Sequence, residues 1–253
     1  MDLGSWTLVL LLSDLSLVKS DKSFMKNIII TGANGNLGSA VVKKFLDEGY
    51  RVIAVDQSDN HLAFAKQNSN FEFKTVDLLK EDVADGFVQD VIGKHKNIDG
   101  ALLLVGGFAM GGVDKTKGAD IDKMINLNFK TAYFLARPIF LHMMNKGSGR
   151  LVLVGARPAL KPEQGKGVIA YALSKSLLFR LAELLNAEAK GKDVVTSVIA
   201  PSTIDTAENR KSMPDANPDN WVKPEKIAEV LEFICSDNSN VLREPVYKVY
   251  NNA

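Results

Sequence analysis

The stretch Ile28-Ile29-Ile30-Thr31-Gly32-Ala33-Asn34-Gly35-Asn36-Leu37-Gly38 runs an apolar, β-branched segment straight into three glycines spaced three apart. The apolar run reads as a buried strand. Leu37, Val41, Val42, Phe45 and Leu46 follow at helical spacing and predict a helix over 37–48. A turn this tight favours residues without a Cβ and lets the backbone approach a ligand closely. The helix start then presents free N–H groups and the positive end of its dipole, a place for a dinucleotide pyrophosphate. Glycine triplets also occur in plain turns; the strand before and the amphipathic helix after give this one its weight. Gly32, Asn34, Gly35, Asn36, Leu37 and Gly38 are therefore candidate cofactor contacts.

Outward from that turn, short β-branched runs alternate with helical patterns. Strands are expected at 26–31, 51–55, 71–76, 99–105, 150–155, 194–200 and 245–250, and helices at 37–48, 59–67, 81–94, 119–145, 168–190 and 224–236. Most strand runs are nearly all apolar, as they must be when helices cover both faces of a parallel sheet. The pattern predicts an α/β fold: a single-domain, Rossmann-type doubly wound parallel sheet over residues 25–253. Pro138 should kink or split the long 119–145 pattern. Pro201, Pro214, Pro218 and Pro224 punctuate an irregular stretch after a strand end, which reads as a lid or, more blandly, a surface excursion. Residues 1–24 precede the domain pattern and read as an extension outside the core, or as an arm for a neighbouring subunit.

Lys plus Arg number 31 and Asp plus Glu 30, a net charge of +1 that argues for neither nucleic acid nor anionic membrane as a partner. Trp6 to Leu12 is too short to span a bilayer and lacks the basic flank of a secretory signal. Cys235, the single cysteine, lies in an apolar helical pattern and reads as a small buried hydrophobe in a reducing, cytoplasmic setting. His61, His95 and His142 have no carboxylate or thiol at ligand spacing, so no metal site is expected.

The second strand candidate ends at Asp56. A carboxylate there can accept hydrogen bonds from both adenosine ribose hydroxyls and would repel a 2′-phosphate. No Arg or Lys stands at 57–60 to welcome one, so NAD(H) is favoured over NADP(H). Asp77, after the third strand, is placed for the adenine edge or to cap the next helix. Tyr171 and Lys175 lie at i and i+4, on one face of a helix. A phenol of pKa about 10 is a poor proton donor–acceptor at pH 7. A nearby ammonium is expected to favour its phenolate. Such a pair can exchange a proton as a hydride moves. Alone, this spacing is common on helical surfaces.

The glycine turn, Asn126-Leu127-Asn128-Phe129 and Tyr171-Ala172-Leu173-Ser174-Lys175 together resemble the short-chain dehydrogenase/reductase family over nearly all of 25–253. The resemblance implies hydride transfer at nicotinamide C4, a small-molecule substrate and a homodimer or homotetramer. It also implies Tyr171 as acid/base, Lys175 on the nicotinamide ribose and Asn128 holding a relay water. Leu78, Gly106, Gly107, Pro201, Ile204 and Thr206 match further cofactor positions. The sequence departs from the family at two points. Asn36 stands where the commonest branch has a glycine, and no Ser or Thr occurs from 152 to 170, where a catalytic serine is usual. Arg157 is a candidate to replace it. Four stretches resemble a branch that reduces a quinonoid dihydropterin without the serine: 32–38, 105–112, 155–160 and 206–214. Phe108 is there expected beside a flat substrate, or else in the core. Reduction of another carbonyl or imine, or NAD(H) sensing without chemistry, remain the alternatives.

Overall fold

Seven parallel strands form one sheet in the order β3-β2-β1-β4-β5-β6-β7 in the computed structural model, which describes residues 25–252. The expectations for residues 1–24 lie outside that range. The strands are β1 (Asn27–Thr31), β2 (Arg51–Val55), β3 (Phe71–Lys74), β4 (Gly100–Leu103), β5 (Ser148–Val154), β6 (Asp193–Pro201) and β7 (Val246–Val249). Each falls within two residues of its expected bounds; the apolar runs of the central strands suit a sheet covered on both faces, whereas the edge strands β3 and β7 mix polar residues and are only partly buried. The order reverses between β1 and β4, so a crevice opens at the carboxyl ends of those two strands, the usual ligand site of such sheets.

Helices α1 (Asn36–Asp47), α2 (Glu81–His95), α3 (Gly118–Ile125), α4 (Thr131–Lys146), the short α5 (Arg157–Leu160) and α6 (Pro162–Gly165), α7 (Ile169–Glu188), α8 (Ala207–Ser212) and α9 (Pro224–Cys235) complete the layers. One apolar core lies between the sheet and α2, α4 and α7, around Ile53, Leu103, Leu135 and Leu153. The other lies under α1 and α9, around Ile30, Val41, Phe45, Leu102 and Leu231. Cys235 is buried there, as expected, and burial pushes its thiol up to about 12. Among the described residues no helix is long and apolar enough to cross a membrane, and no group of His, Cys, Asp and Glu could hold a metal.

Three expectations need correction. The 59–67 pattern forms only a 3-10 turn at Ala63–Ala65, since Leu62 and Ala65 are its only buried anchors. The long pattern around Pro138 is split, but not at the proline: α4 continues through Pro138, and the break is a π-helical turn at Asn126–Lys130. The stretch after Pro201 is not wholly irregular; Thr206 caps α8 by accepting the Asn209 N–H at 3.1 Å.

Candidate active site

The three glycines of the first turn serve three separate needs. Gly32 has φ +63°, which a side chain would strain. Gly35 is the N-cap of α1 and supplies no side-chain cap, and α1 has no acidic residue in its first turn, so its leading N–H groups are left for an anion. Gly38 lies against the turn itself. A Cβ there would collide with the Gly32 carbonyl oxygen and stand 2.7 Å from Ala33 Cα. The turn is thus a cradle sized for a backbone approach, and its features fit a dinucleotide pyrophosphate.

Asp56 lies at the end of β2, half-buried, and accepts hydrogen bonds from the N–H groups of Asn34 at 2.8 Å and Gln57 at 2.7 Å. Those bonds hold its carboxylate beside the glycine turn. Asp77 accepts the Leu79 N–H at 3.2 Å and lies 3.4 Å from Lys80, in the turn before α2, whose N-cap is Lys80 and not Asp77. Leu78 is buried in the core. The Asn36 side chain donates to Glu208 at 2.7 Å, which ties α8 across the glycine turn, and Leu37 packs against the α1–α9 core. Pro201 ends β6, Ile204 bridges Val222, and Thr206 spends its hydroxyl on the α8 cap.

The chemical end is built on α7. Tyr171 and Lys175 are one turn apart on it, and the Lys175 Nζ donates to the Val154 carbonyl at the end of β5, 2.7 Å away. The π-helical turn swings Asn128 inward and buries it fully. Its Oδ1 accepts the Gly107 N–H at 2.7 Å, and its Nδ2 donates to the Gly107 carbonyl at 3.1 Å and to Ser174 Oγ at 2.9 Å. Ser174 donates in turn to the Tyr171 carbonyl at 2.8 Å. Asn128 therefore locks the loop after β4 onto the Tyr171 helix turn, and its whole amide is spent on that. Gly106 lies between the two residues: a Cβ there would be 2.9 Å from both Asn128 Oδ1 and Lys175 Nζ. The same loop is stitched to the start of α7 by a parallel bridge between Gly111 and Val168.

Phe108, on that loop, is mostly exposed and meets the Tyr171 ring edge-on, with centroids 5.0 Å apart. It is therefore not a core residue. Arg157 lies over the Tyr250 ring at 4.8 Å, and its Nε is buried with no partner. It joins the loop after β5 to the end of the chain.

Desolvation raises the Tyr171 phenol to about 12 and lowers the Lys175 ammonium to about 8. Lys175 turns its ammonium to a carbonyl, and burial is the cause that acts on the tyrosine. At neutral pH the phenol holds its proton, the form needed to donate one. Sequence reasoning missed Ser174, Ser58 and His61. Ser174 was visible inside the Tyr171–Lys175 spacing, whereas Ser58 and His61 left no signal.

The model of the short chain dehydrogenase family matches residues 26–217. The dihydropteridine reductase of Dictyostelium discoideum is 32% identical over 218 residues, covering 85% of this chain and 89% of that protein. The 3-oxoacyl-acyl-carrier-protein reductase FabG of Thermotoga maritima is 25% identical, covering 85% of this chain and 92% of its own length. Among solved structures, ElxO with NADP bound superposes with a TM-score of 0.81 at 21% identity, covering 89% of this chain and 97% of its own. A short-chain dehydrogenase/reductase from Mycobacterium ulcerans gives 0.81 at 21% identity, covering 90% and 89%. At that identity the two structures speak for the fold alone. A glycine cradle, a Tyr–Lys pair and an asparagine lock, on a matched sequence, make this chain a member of the short-chain dehydrogenase family and an NAD(P)-dependent oxidoreductase.

Proposed function

We propose that residues 25–253 form an NADH-dependent reductase whose substrate is a flat, conjugated acceptor of the quinonoid dihydropterin type. The observation that carries this reading is the Tyr171 phenol, held protonated by burial, with the exposed Phe108 ring set on edge against it. The bound nicotinamide would supply a hydride from C4, and its ribose would lie against Lys175. Tyr171 then delivers the proton that completes a two-electron reduction. Lys175 holds positive charge beside the phenol, which stabilises the phenolate left behind. Asn128 keeps the Gly106–Gly107 loop clear of that space. The glycine cradle and the open α1 start hold the pyrophosphate, and Asp77 borders the adenine.

No Ser or Thr stands between 152 and 170. A quinonoid ring is already a strong hydride acceptor, so a single proton donor suffices for it, whereas an unactivated ketone would need the missing hydroxyl. The dihydropteridine reductase relative supports the same substrate class. Phe108 gives such a ring a face to stack on, and Arg157 offers a fixed cation at the far wall. Asp56 and the lack of a cation at 57–60 support NADH over NADPH. The FabG relative supports a second reading, reduction of another carbonyl. The exposed Tyr133, Leu141, Leu173, Leu177 and Leu184 on α4 and α7 support assembly into a homodimer or homotetramer. The buried lone thiol fits a cytoplasmic enzyme.

The test is NADH oxidation with quinonoid dihydropterin made in situ. Turnover that Tyr171→Phe loses by roughly 1,000-fold, with NADH affinity unchanged, is the expected result. Turnover of a 3-oxoacyl thioester with none of the pterin would move the assignment to the second reading. NADH binding with no turnover of either would send the search to other carbonyl and imine acceptors.

A further inference from the structure

Asn34, a candidate cofactor contact, engages its polar groups with the loop that follows β2. Its N–H donates to Asp56 Oδ2 at 2.8 Å, its Nδ2 donates to Ser58 Oγ at 2.9 Å, and its Oδ1 accepts the His61 N–H at 2.7 Å. His61 Nδ1 lies 2.8 Å from the Asn34 carbonyl. A carbonyl oxygen can only accept, so the imidazole carries its proton on Nδ1 and donates. Four hydrogen bonds thus join one residue of the glycine turn to a loop 22 to 27 positions further on. The loop's other ties are few: Gln57 Nε2 donates to the Val76 carbonyl at 3.4 Å, Asp59 pairs with Lys66 at 2.7 Å, and Leu62 and Ala65 reach the core.

We infer that Asn34 and His61 form a clamp that fixes the 56–61 loop against the glycine turn and so sets the attitude of the Asp56 carboxylate toward the adenosine ribose. They are positioning residues for cofactor choice; neither needs to touch the cofactor. Without the clamp, Asp56 keeps its charge but loses its fixed direction. Its discrimination between a ribose hydroxyl and a 2′-phosphate should then blur. This rests on the reading of Asp56 as the group that favours NADH.

The experiment is fluorescence titration of the purified protein with NADH and with NADPH, which needs no substrate. In Asn34→Ala the Kd for NADH should rise roughly tenfold, and the NADPH-to-NADH Kd ratio should fall about fivefold, as expected for two lost neutral hydrogen bonds. Ser58→Ala, which removes one bond, should move both in the same direction by about twofold. His61→Gln, whose amide can still donate to the Asn34 carbonyl, should stay near the parent, and His61→Ala should not. A purely structural role would lower Tm or weaken both cofactors equally, leaving the ratio fixed, and that result overturns the clamp. Asp56→Ala is run alongside. If it collapses the ratio while Asn34→Ala leaves it alone, the clamp is wrong and the Asp56 reading stands. If Asp56→Ala leaves the ratio unchanged, the Asp56 reading is wrong and the clamp falls with it.

Discussion

The two halves of the crevice are built in opposite ways. On the adenosine side a backbone turn does the work: Gly32, Gly35 and Gly38 shape a cradle between β1 and α1, and Asn34 and Asp56 satisfy their polar groups against neighbouring backbone and loop side chains. On the substrate side, loops after β4 and β5 carry exposed side chains. Phe108 and Met110 face solvent, and Arg157 keeps a buried Nε without a partner. On the proposed reading the first half meets the cofactor that the family shares, so tight backbone geometry serves it. The second must suit one substrate, so it is left to side chains on loops that can vary without disturbing the sheet.

The sharpest way to break this contrast is to compare two helical glycines. Glycine-to-alanine exchange within a helix ordinarily stabilises by about 1 kcal/mol. Gly86 on α2 has open space where its Cβ would go, and Gly86→Ala should follow that rule. Gly38 on α1 should not, because its Cβ would drive into Gly32 and Ala33. Gly38→Ala should cost roughly 3 kcal/mol and weaken NADH binding on the order of 100-fold. Urea unfolding and NADH fluorescence measure the two effects. Equal stabilisation by both substitutions would mean that the turn is not the rigid half.

Lys175 tests the boundary between the halves. Its ammonium is buried, and its proton is held less tightly in the folded chain, at about 8 against an ordinary 10.5. Between those values the unfolded chain binds more protons, so stability rises with pH across that window, and the full cost of burying the charge is felt below pH 8. Lys175→Met should therefore raise Tm at pH 7 by a few degrees while abolishing turnover. The gain should shrink toward pH 10.5. In the parent enzyme, kcat/KM for reduction should be flat below pH 7 and fall through about 8 as the ammonium is lost. A fall in Tm for Lys175→Met at pH 7 would show that the hydrogen bond to Val154 outweighs the burial cost.

What could be read from the sequence follows the same division. The strands were legible because a doubly covered parallel sheet demands unbroken apolar runs, and the glycine turn because few residues can make it. Tyr171 and Lys175 were legible as a pair because a four-residue spacing sets them on one helix face, and their roles came only with the family resemblance. The π-helical turn at Asn128 was not: nothing in Asn126-Leu127-Asn128-Phe129 distinguishes a widened turn from a regular one, and its cause is the pull of Gly107 and Ser174, distant in sequence. Nor was the Asn34–His61 pairing, which joins segments whose proximity only the fold decides. The burial that raises the Tyr171 phenol was not legible either, since burial is a property of the packed site and not of the spacing.

The smallest predicted effect is the one that best separates the halves. Phe108 touches the Tyr171 ring at its edge and leaves a face open. Aromatic pairs of this kind contribute about 1 kcal/mol beyond the area they cover. Phe108→Ala should therefore raise KM for a flat acceptor roughly fivefold. NADH affinity and Tm should hardly move, because the ring carries no part of either core. Phe108→Trp should restore or improve KM. If instead kcat falls and KM holds, the ring's contact is with Tyr171 and not with substrate, and Phe108 orients the phenol. The substrate half would then also be preorganised by its own internal contacts, and the contrast between the two halves would narrow to the exposed side chains of Met110 and the 201–224 stretch.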